Sequence, residues 1–256
     1  MSVTKTAIIT GAATGIGRAT ALRFAKDGYN LVLNGRQKDN LQELAEEIGT
    51  DRSVTAPGDV SRKADAEAII KTAMDRFGRI DVVVNNAGVV LPGTADQLSD
   101  DDFAQMMAVN VGGVRNVSLA ALSELRKTKG NIVNVSSVSG MGGDWGMYGY
   151  NASKGAVSLM TQGMALDLGA EGVRVNAVAP ATTNTRLAAP LHEMKPAMDL
   201  LNSRIPMGRL VEPEEVANVI AFLAGPDASF VNGVILPVDG GLSASNGQPN
   251  FTAFGE

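Results

Sequence analysis

Tyr150 and Lys154 stand four residues apart in the stretch GMYGYNASKGAV, among small residues. On a helix this spacing puts both side chains on one face, about 6 Å apart along the axis. A free phenol titrates near pKa about 10, too high for acid–base work at neutral pH. One cation about 4 Å away, in an effective dielectric of about 20, is worth about 4 kcal/mol, or roughly three pKa units. The pair is therefore expected to bring the phenol towards about 7, where it can act as a general acid–base group. The alternative is a ring and a charge on an ordinary helical surface. Tyr148 is an internal control, because Ala152 stands four residues after it and offers no charge.

Two further stretches carry chemical signals. Thr10-Gly11-Ala12-Ala13-Thr14-Gly15-Ile16-Gly17 follows a short apolar run and opens an amphipathic one. Glycines there permit a tight turn and let backbone N–H groups approach a pyrophosphate at the positive end of a helix. The spacing G-x-x-x-G-x-G departs from the commoner G-x-G-x-x-G yet serves the same geometry, unless the stretch is a turn and nothing more. Asn110 lies in Val109-Asn110-Val111-Gly112-Gly113, within a long predicted helix. An asparagine and two glycines all cost helix propensity, so a local distortion is expected there, or close packing at the glycines.

These groups need a scaffold, and the pattern supplies one. Predicted strands cover Thr6–Thr10, Leu31–Leu33, Ser53–Ala56, Val82–Val84, Ile132–Val135, Arg174–Val178 and Val234–Leu236. Between them, helices are predicted over Ile16–Asp27, Asp39–Ile48, Arg62–Phe77, Ser99–Lys127, Tyr150–Leu168 and Pro213–Leu223. Seven strands alternating with six helices predict an α/β chain, a doubly wound parallel sheet covered by helices on both faces. No linker divides the chain, so residues 1–256 are expected to form one domain. The patternless segment from Ala181 to Glu212 is expected to be a functional loop over the substrate. The tail from Ser243 to Glu256 is polar apart from Phe251 and Phe254, and is either loose or docked, for instance on another subunit.

Composition narrows the function classes. Hydrophobic residues make up 45% of the 256, enough for a substantial core. A net charge of -5 gives no reason to expect nucleic acid or an anionic membrane as partner. The chain has no cysteine, which removes disulfides, thiolate metal sites and cysteine nucleophiles. His192 is its only histidine, which argues against a Ser-His-Asp triad or a multi-histidine metal centre. No apolar run reaches the length of about 18 residues that a membrane span needs, and the N-terminal apolar run is short for a secretory signal. A cytoplasmic protein is expected.

Taken in order, TGAATGIG, Asp59-Val60, Asn85-Asn86-Ala87-Gly88, Asn110, Ser137, YNASK, Asn176 to Pro180 and LPVDGG give the chain its resemblance. The sequence resembles the short-chain dehydrogenase/reductase family, in its compact single-domain branch with a Rossmann-type fold. The match runs over nearly the whole chain. The resemblance implies a catalytic set of Asn110, Ser137, Tyr150 and Lys154. Tyr150 would exchange a proton with the substrate oxygen, Ser137 would orient that oxygen, and Lys154 would lower the tyrosine pKa and hold the cofactor ribose. Asn110 would hold a relay water between Lys154 and solvent. It implies a nicotinamide cofactor on Gly11, Thr14, Gly15, Ile16 and Gly17. Asp59 would meet the adenine amino group, with Val60 beside the ring, or Asp59 would only cap the following helix. Asn86, Ala87 and Gly88 would border the ribose while Asn85 braces the sheet, and Pro180, Thr183 and Thr185 would meet the carboxamide. The family usually has Pro-Gly where this chain has Pro180-Ala181, so the loop is expected to enter the site at a different angle.

At the end of the second strand, Leu33-Asn34-Gly35-Arg36 lacks the carboxylate that binds a ribose 2′-OH, and Arg36 would welcome a 2′-phosphate. Lys38 adds charge, whereas Ala13 and Thr14 stand where many NADP enzymes of the family have a basic residue. Arg36 as an ordinary surface charge is the competing reading; NADP(H) is favoured over NAD(H). Trp145, between Ser137 and Tyr150, would stack on substrate or pack a subunit contact. The expected reaction is hydride transfer between the cofactor and a small ketone, ketose or polyol, as in gluconate 5-dehydrogenase-like enzymes. The alternative is a 3-oxoacyl-carrier-protein reductase, for which Arg186, Lys195, Arg204 and Arg209 form no dense basic cluster. A non-enzymatic nucleotide sensor would be expected to lose Tyr150 or Lys154. Enoyl reductases of the wider family space those two residues further apart. A homotetramer is implied, packing the helices that carry Asn110 and Tyr150.

Overall fold

A computed structural model describes residues 3–189 and 193–248. Short apolar runs of the sequence become the inner strands of one sheet. The strands are β1 (Thr6–Ile9), β2 (Asn30–Gly35), β3 (Ser53–Pro57), β4 (Val82–Asn85), β5 (Asn131–Val135), β6 (Arg174–Pro180) and β7 (Ile235–Val238). All pair in parallel, in the order β3-β2-β1-β4-β5-β6-β7. The expected seven-stranded, doubly wound sheet is the observed one.

The helices are α1 (Gly15–Lys26), α2 (Lys38–Ile48), α3 (Lys63–Phe77), α4 (Asp100–Met106), α5 (Gly113–Thr128), α6 (Tyr148–Leu168), α7 (Lys195–Arg204) and α8 (Pro213–Ala224). Strand residues are buried on both faces, and alternation splits them between two cores. Ile9, Leu31, Leu33, Val84 and Val133 pack with Phe24 of α1, Leu41 and Leu44 of α2 and Ile220 of α8. Ile8, Val32, Val83, Ile132 and Val175 pack on the opposite face with Ile69 of α3, Leu125 of α5 and Leu168 of α6.

Two departures from the sequence expectation concern helices. The single helix predicted over Ser99–Lys127 is interrupted by a π-helical turn, Met107–Gly112, which contains Asn110. The segment read as patternless holds α7, which buries none of its residues. An apolar stripe is what periodicity detects, and that of α7 is short, Ala197, Met198 and Leu201, each only half-buried. It rests instead on a proline in its first turn and a Lys195–Asp199 pair at 2.9 Å. Pro190, Leu191 and His192 of that segment, and Phe251 and Phe254 of the tail, lie outside the described residues.

A buried polar line crosses the second core. The Asn85 amide donates to Ser118 Oγ of α5 and Asn134 Oδ1 of β5, both at 2.9 Å. Asn134 in turn donates to Thr161 Oγ1 of α6 at 2.8 Å. Asn85 thus braces the sheet against both helices that frame the site. Asn134→Ala leaves the Asn85 amide short of an acceptor in a dry setting. It should cost roughly 1–3 kcal/mol of unfolding free energy, read as a lower urea midpoint at unchanged slope.

Candidate active site

The strand order reverses between β1 and β4, and their carboxyl ends open the crevice where such sheets hold ligands. Two loops meet there. Thr10 Oγ1 accepts from the backbone N–H groups of Asn86 and Ala87, each at 3.0 Å. The Asn86 amide returns the contact, donating to the carbonyls of Thr10 at 2.9 Å and Gly11 at 3.1 Å. Asn86 therefore spends its amide on shaping the glycine turn. Within that turn Gly11 and Gly15 adopt left-handed φ of 63° and 54°. A Cβ on Gly17 would lie 2.1 Å from the Gly11 carbonyl oxygen, so no other residue fits.

Thr14 precedes α1 in an extended conformation, makes no side-chain cap bond, and no acidic residue occupies the first turn. The free N–H groups at Gly15, Ile16 and Gly17 so keep the positive end of α1 open to an anion. An uncapped helix end behind a glycine cradle fits the pyrophosphate of a dinucleotide. Thr185 also approaches this turn, its methyl 3.1 Å from the Cβ position of Gly15. Ala181 has no positive φ, so the loop after Pro180 leaves β6 without needing a glycine. Thr183 is buried and donates to the Ala181 carbonyl at 3.0 Å.

The adenine end differs in detail from expectation. Asn34 is buried, and its amide donates to the carbonyls of Ala56 at 2.9 Å and Gly58 at 3.3 Å. It ties β2 to β3 rather than facing a ligand, whereas Arg36 is exposed. Asp59 does not cap α3; it accepts from the Ser61 hydroxyl at 2.7 Å and the Ser61 N–H at 2.9 Å. Those bonds, chiefly the hydroxyl, with help from the charges of Arg36 and Arg62, hold its carboxyl below the usual range. Val60 is buried, so close to α5 that a Cβ on Gly113 would lie 2.5 Å from it. Its side chain serves the core, leaving only its backbone for an adenine.

At the carboxyl end of β5 the remaining residues converge. Ser137 Oγ accepts from Ser139 N at 3.1 Å, and its hydroxyl is near enough to the Tyr150 phenol to favour ionisation of that group. Ser136 faces the other way, donating to the Lys154 carbonyl at 3.0 Å. Lys154 is 5% exposed; its ammonium donates to the Val135 carbonyl at 2.8 Å and lies 5.7 Å from the Tyr150 ring centroid. Asn110 reaches the same place with its side chain fully used. It accepts from Val89 N at 2.8 Å and donates to Val89 O at 2.9 Å and Ser153 Oγ at 3.0 Å. A Cβ on Gly88 would lie 3.2 Å from Asn110 Oδ1 and 3.6 Å from Lys154 Nζ, so this glycine keeps the space between them open. Trp145 is 97% exposed, its ring in solvent rather than packed into a wall beside Ser137.

The electrostatics correct one expectation. Tyr150 is not drawn towards neutral pH in this structure; its pKa is raised. Burial is the largest cause, the Ser137 hydrogen bond opposes it, and the Asp144 charge adds to it. The Lys154 ammonium lies 5.7 Å from the Tyr150 ring centroid, and its own burial lowers it to about 8. The resting site therefore holds a protonated phenol, the form that carbonyl reduction consumes. Asp144 belongs, with Met141, Trp145 and Met147, to the stretch expected to wall the substrate opposite the loop after β6, and its charge acts on the phenol. It is the one charged residue between Ser137 and Tyr150, and that isolation was its signal.

Residues 11–243 match the family model described as enoyl-(acyl carrier protein) reductase. Meso-2,3-butanediol dehydrogenase of Serratia marcescens is 45% identical over 247 residues, 96% of this chain and 98% of that protein. The chain belongs to the short-chain dehydrogenase/reductase family. It is an oxidoreductase acting on an alcohol or carbonyl group with a nicotinamide cofactor. Among solved structures, gluconate 5-dehydrogenase of Burkholderia cenocepacia, in complex with NADP and tartrate, superposes with a TM-score of 0.90. The two are 34% identical, over 94% of this chain and 96% of that one. The 3-ketoacyl-(acyl-carrier-protein) reductase of Brucella melitensis, complexed with NADH, gives 0.88 at 35% identity, over 94% and 100%.

The lowered lysine makes a pH prediction. Its ammonium is intact below about 8 and lost above it, since burial disfavours the charged form. Affinity for reduced cofactor should fall as pH rises through about 8, and Lys154→Arg should flatten that fall. A pH-independent dissociation constant in the wild type would separate Lys154 from cofactor binding.

Proposed function

We propose that the protein reduces small ketones or ketoses, and oxidises the matching alcohols or polyols, with NADP(H) as its preferred cofactor. It works as a homotetramer, in the cytoplasm where the diffusible pool of that cofactor lies. The observation that carries the reading is the meeting of Ser137 and Tyr150 at the carboxyl end of β5, with the buried Lys154 ammonium 5.7 Å from the ring centroid.

When bound, the reduced nicotinamide supplies a hydride to the carbonyl carbon. Tyr150 gives its phenolic proton to the carbonyl oxygen, and Ser137 turns its hydroxyl to the same oxygen. The phenolate left behind is stabilised by the Lys154 ammonium. Asn110 positions this pair, since it ties the loop after β4 to Ser153, one residue before Lys154. With its side chain committed, a relay water beside Lys154 would rest on the main chain of the π turn. In oxidation the phenolate takes the alcohol proton.

Arg36 supports NADP(H): it is exposed just past β2, which ends without a carboxylate of its own, and Asn34 is turned away. Leu119 of α5 and Leu159 and Leu166 of α6, exposed at 48%, 71% and 84%, support subunit packing on that face. Similarity to the Brucella reductase favours a 3-oxoacyl-carrier-protein substrate as second reading. Two of the four cations available to an acidic carrier are already paired, Lys195 with Asp199 and Arg209 with Glu215. That weighs for a small substrate.

The test is cofactor oxidation, by absorbance, with NADPH and NADH across ketoses, diketones, small ketones and acetoacetyl thioesters. Tyr150→Phe should lower kcat by about 10²–10⁴-fold, the usual worth of a positioned proton donor. Arg36→Ala should lower the preference for NADPH over NADH about tenfold, the loss of one charge-assisted hydrogen bond. An active Tyr150→Phe enzyme would overturn the mechanism.

A further inference from the structure

Asp144 occupies a place that the mechanism above does not use. It sits in the glycine-rich loop that joins Ser137 to Tyr150, Val138-Ser139-Gly140-Met141-Gly142-Gly143-Asp144-Trp145-Gly146-Met147. Such a loop invites disorder, yet this one is tied down on both sides of Asp144. The Ser139 hydroxyl donates to Asp144 Oδ2 at 3.1 Å, and the Asn151 amide donates to the Asp144 carbonyl at 3.0 Å. Two residues on, Gly146 O accepts from Gly93 N at 2.7 Å, and Tyr148 N donates to Gly93 O at 3.2 Å.

The chain of contacts leads to the reacting atoms. Ser139, bonded to the carboxylate, donates through its backbone N–H to Ser137 Oγ, and Ser137 is near enough to the Tyr150 phenol to act on its ionisation. The Asp144 charge is near enough to oppose ionisation of that phenol. Ser139 is buried while Asp144 is exposed, so the carboxylate reaches solvent with its inner side anchored. Its Oδ1 has no hydrogen-bond partner among the described residues. A carboxylate anchored one serine away from Ser137 Oγ is an acceptor for a substrate hydroxyl and a repulsive group for a substrate anion.

We infer that Asp144 sets substrate class: it accepts a hydrogen bond from a hydroxyl on the carbon next to the reacting carbonyl, and turns away substrates carrying carboxylate or phosphate. The favoured substrates are therefore neutral α-hydroxyketones and the vicinal diols they yield. This rests on the carbonyl-reductase reading and narrows it.

Three probes of similar size separate the outcomes: 3-hydroxy-2-butanone, 2-butanone and the anion 2-oxobutanoate, each with wild type, Asp144→Asn and Asp144→Ala. The wild type should prefer the hydroxyketone over butanone in kcat/KM. Both variants should lose that preference by about tenfold, chiefly through KM, and should gain on 2-oxobutanoate relative to butanone. Asp144 lies at the surface, so both variants are expected to fold. Equal losses on all three probes would overturn the inference and leave Asp144 as a loop anchor. A wild type without preference among the ketones would overturn it too, with the redox reading intact. A wild type that reduces none of the three would sink the carbonyl-reductase reading itself, and this inference with it.

Discussion

The Lys154 ammonium is a charge placed where the fold excludes water, and much of the site is arranged around that fact. Removing such an ion from water is costly, and one carbonyl, that of Val135, is its hydrogen-bond partner in the chain. The remaining cost shows in its lowered pKa of about 8. A position like this is hard to justify for stability alone, and perturbed groups in a crevice are typical of chemistry. Small residues make the placement possible. A Cβ on Gly140 would lie 2.6 Å from the Lys154 carbonyl, so α6 can press its catalytic turn against the end of β5 only because that residue is glycine.

Around that charge, polar side chains act as rivets between elements. Asn85, Asn134, Ser118 and Thr161 join two strands to α5 and α6, and Asn110 joins the loop after β4 to α6. Each is buried and each makes at least one hydrogen bond in a dry setting, where an unmade bond costs more than a made one gains; among these side chains the Asn85 Oδ1 is left without a partner. The π turn belongs to the same design: an extra residue in the helix aims Asn110 at Val89 and Ser153. The result is a rigid floor for Tyr150, Ser137 and Lys154, while α7, which buries nothing, is the element free to differ between substrates.

The protonation state of the tyrosine follows from this rigidity. Burial and the Asp144 charge keep the proton on the phenol, Ser137 pulls the other way, and Lys154 waits over the ring. The lysine then matters most after the proton has left, when it faces a phenolate. Preorganised charge of this kind acts on the state that forms during reaction more than on the resting one.

The sequence determined the sheet, because parallel strands buried on both faces read as apolar runs and the helices between them show their period. It also determined which residues meet at the carboxyl ends, since the glycine turn, Asn86, Ser137 and Tyr150 all follow strands. The distortion at Asn110 was legible from residues that resist a helix. What the tertiary structure alone decided was direction and environment. Asn34, Asn86 and Val60 sit where expected, but their side chains brace β3, the glycine turn and α5. α7 gave little period because its apolar face, Ala197, Met198 and Leu201, is short and only half-buried. The tyrosine pKa depends on where the lysine nitrogen lies relative to the phenol oxygen, and spacing along a helix gives a shared face but not that distance. Asp144 acquires its place only through contacts with Ser139 and Asn151, because a loop rich in glycine has no local period to fix where a side chain goes.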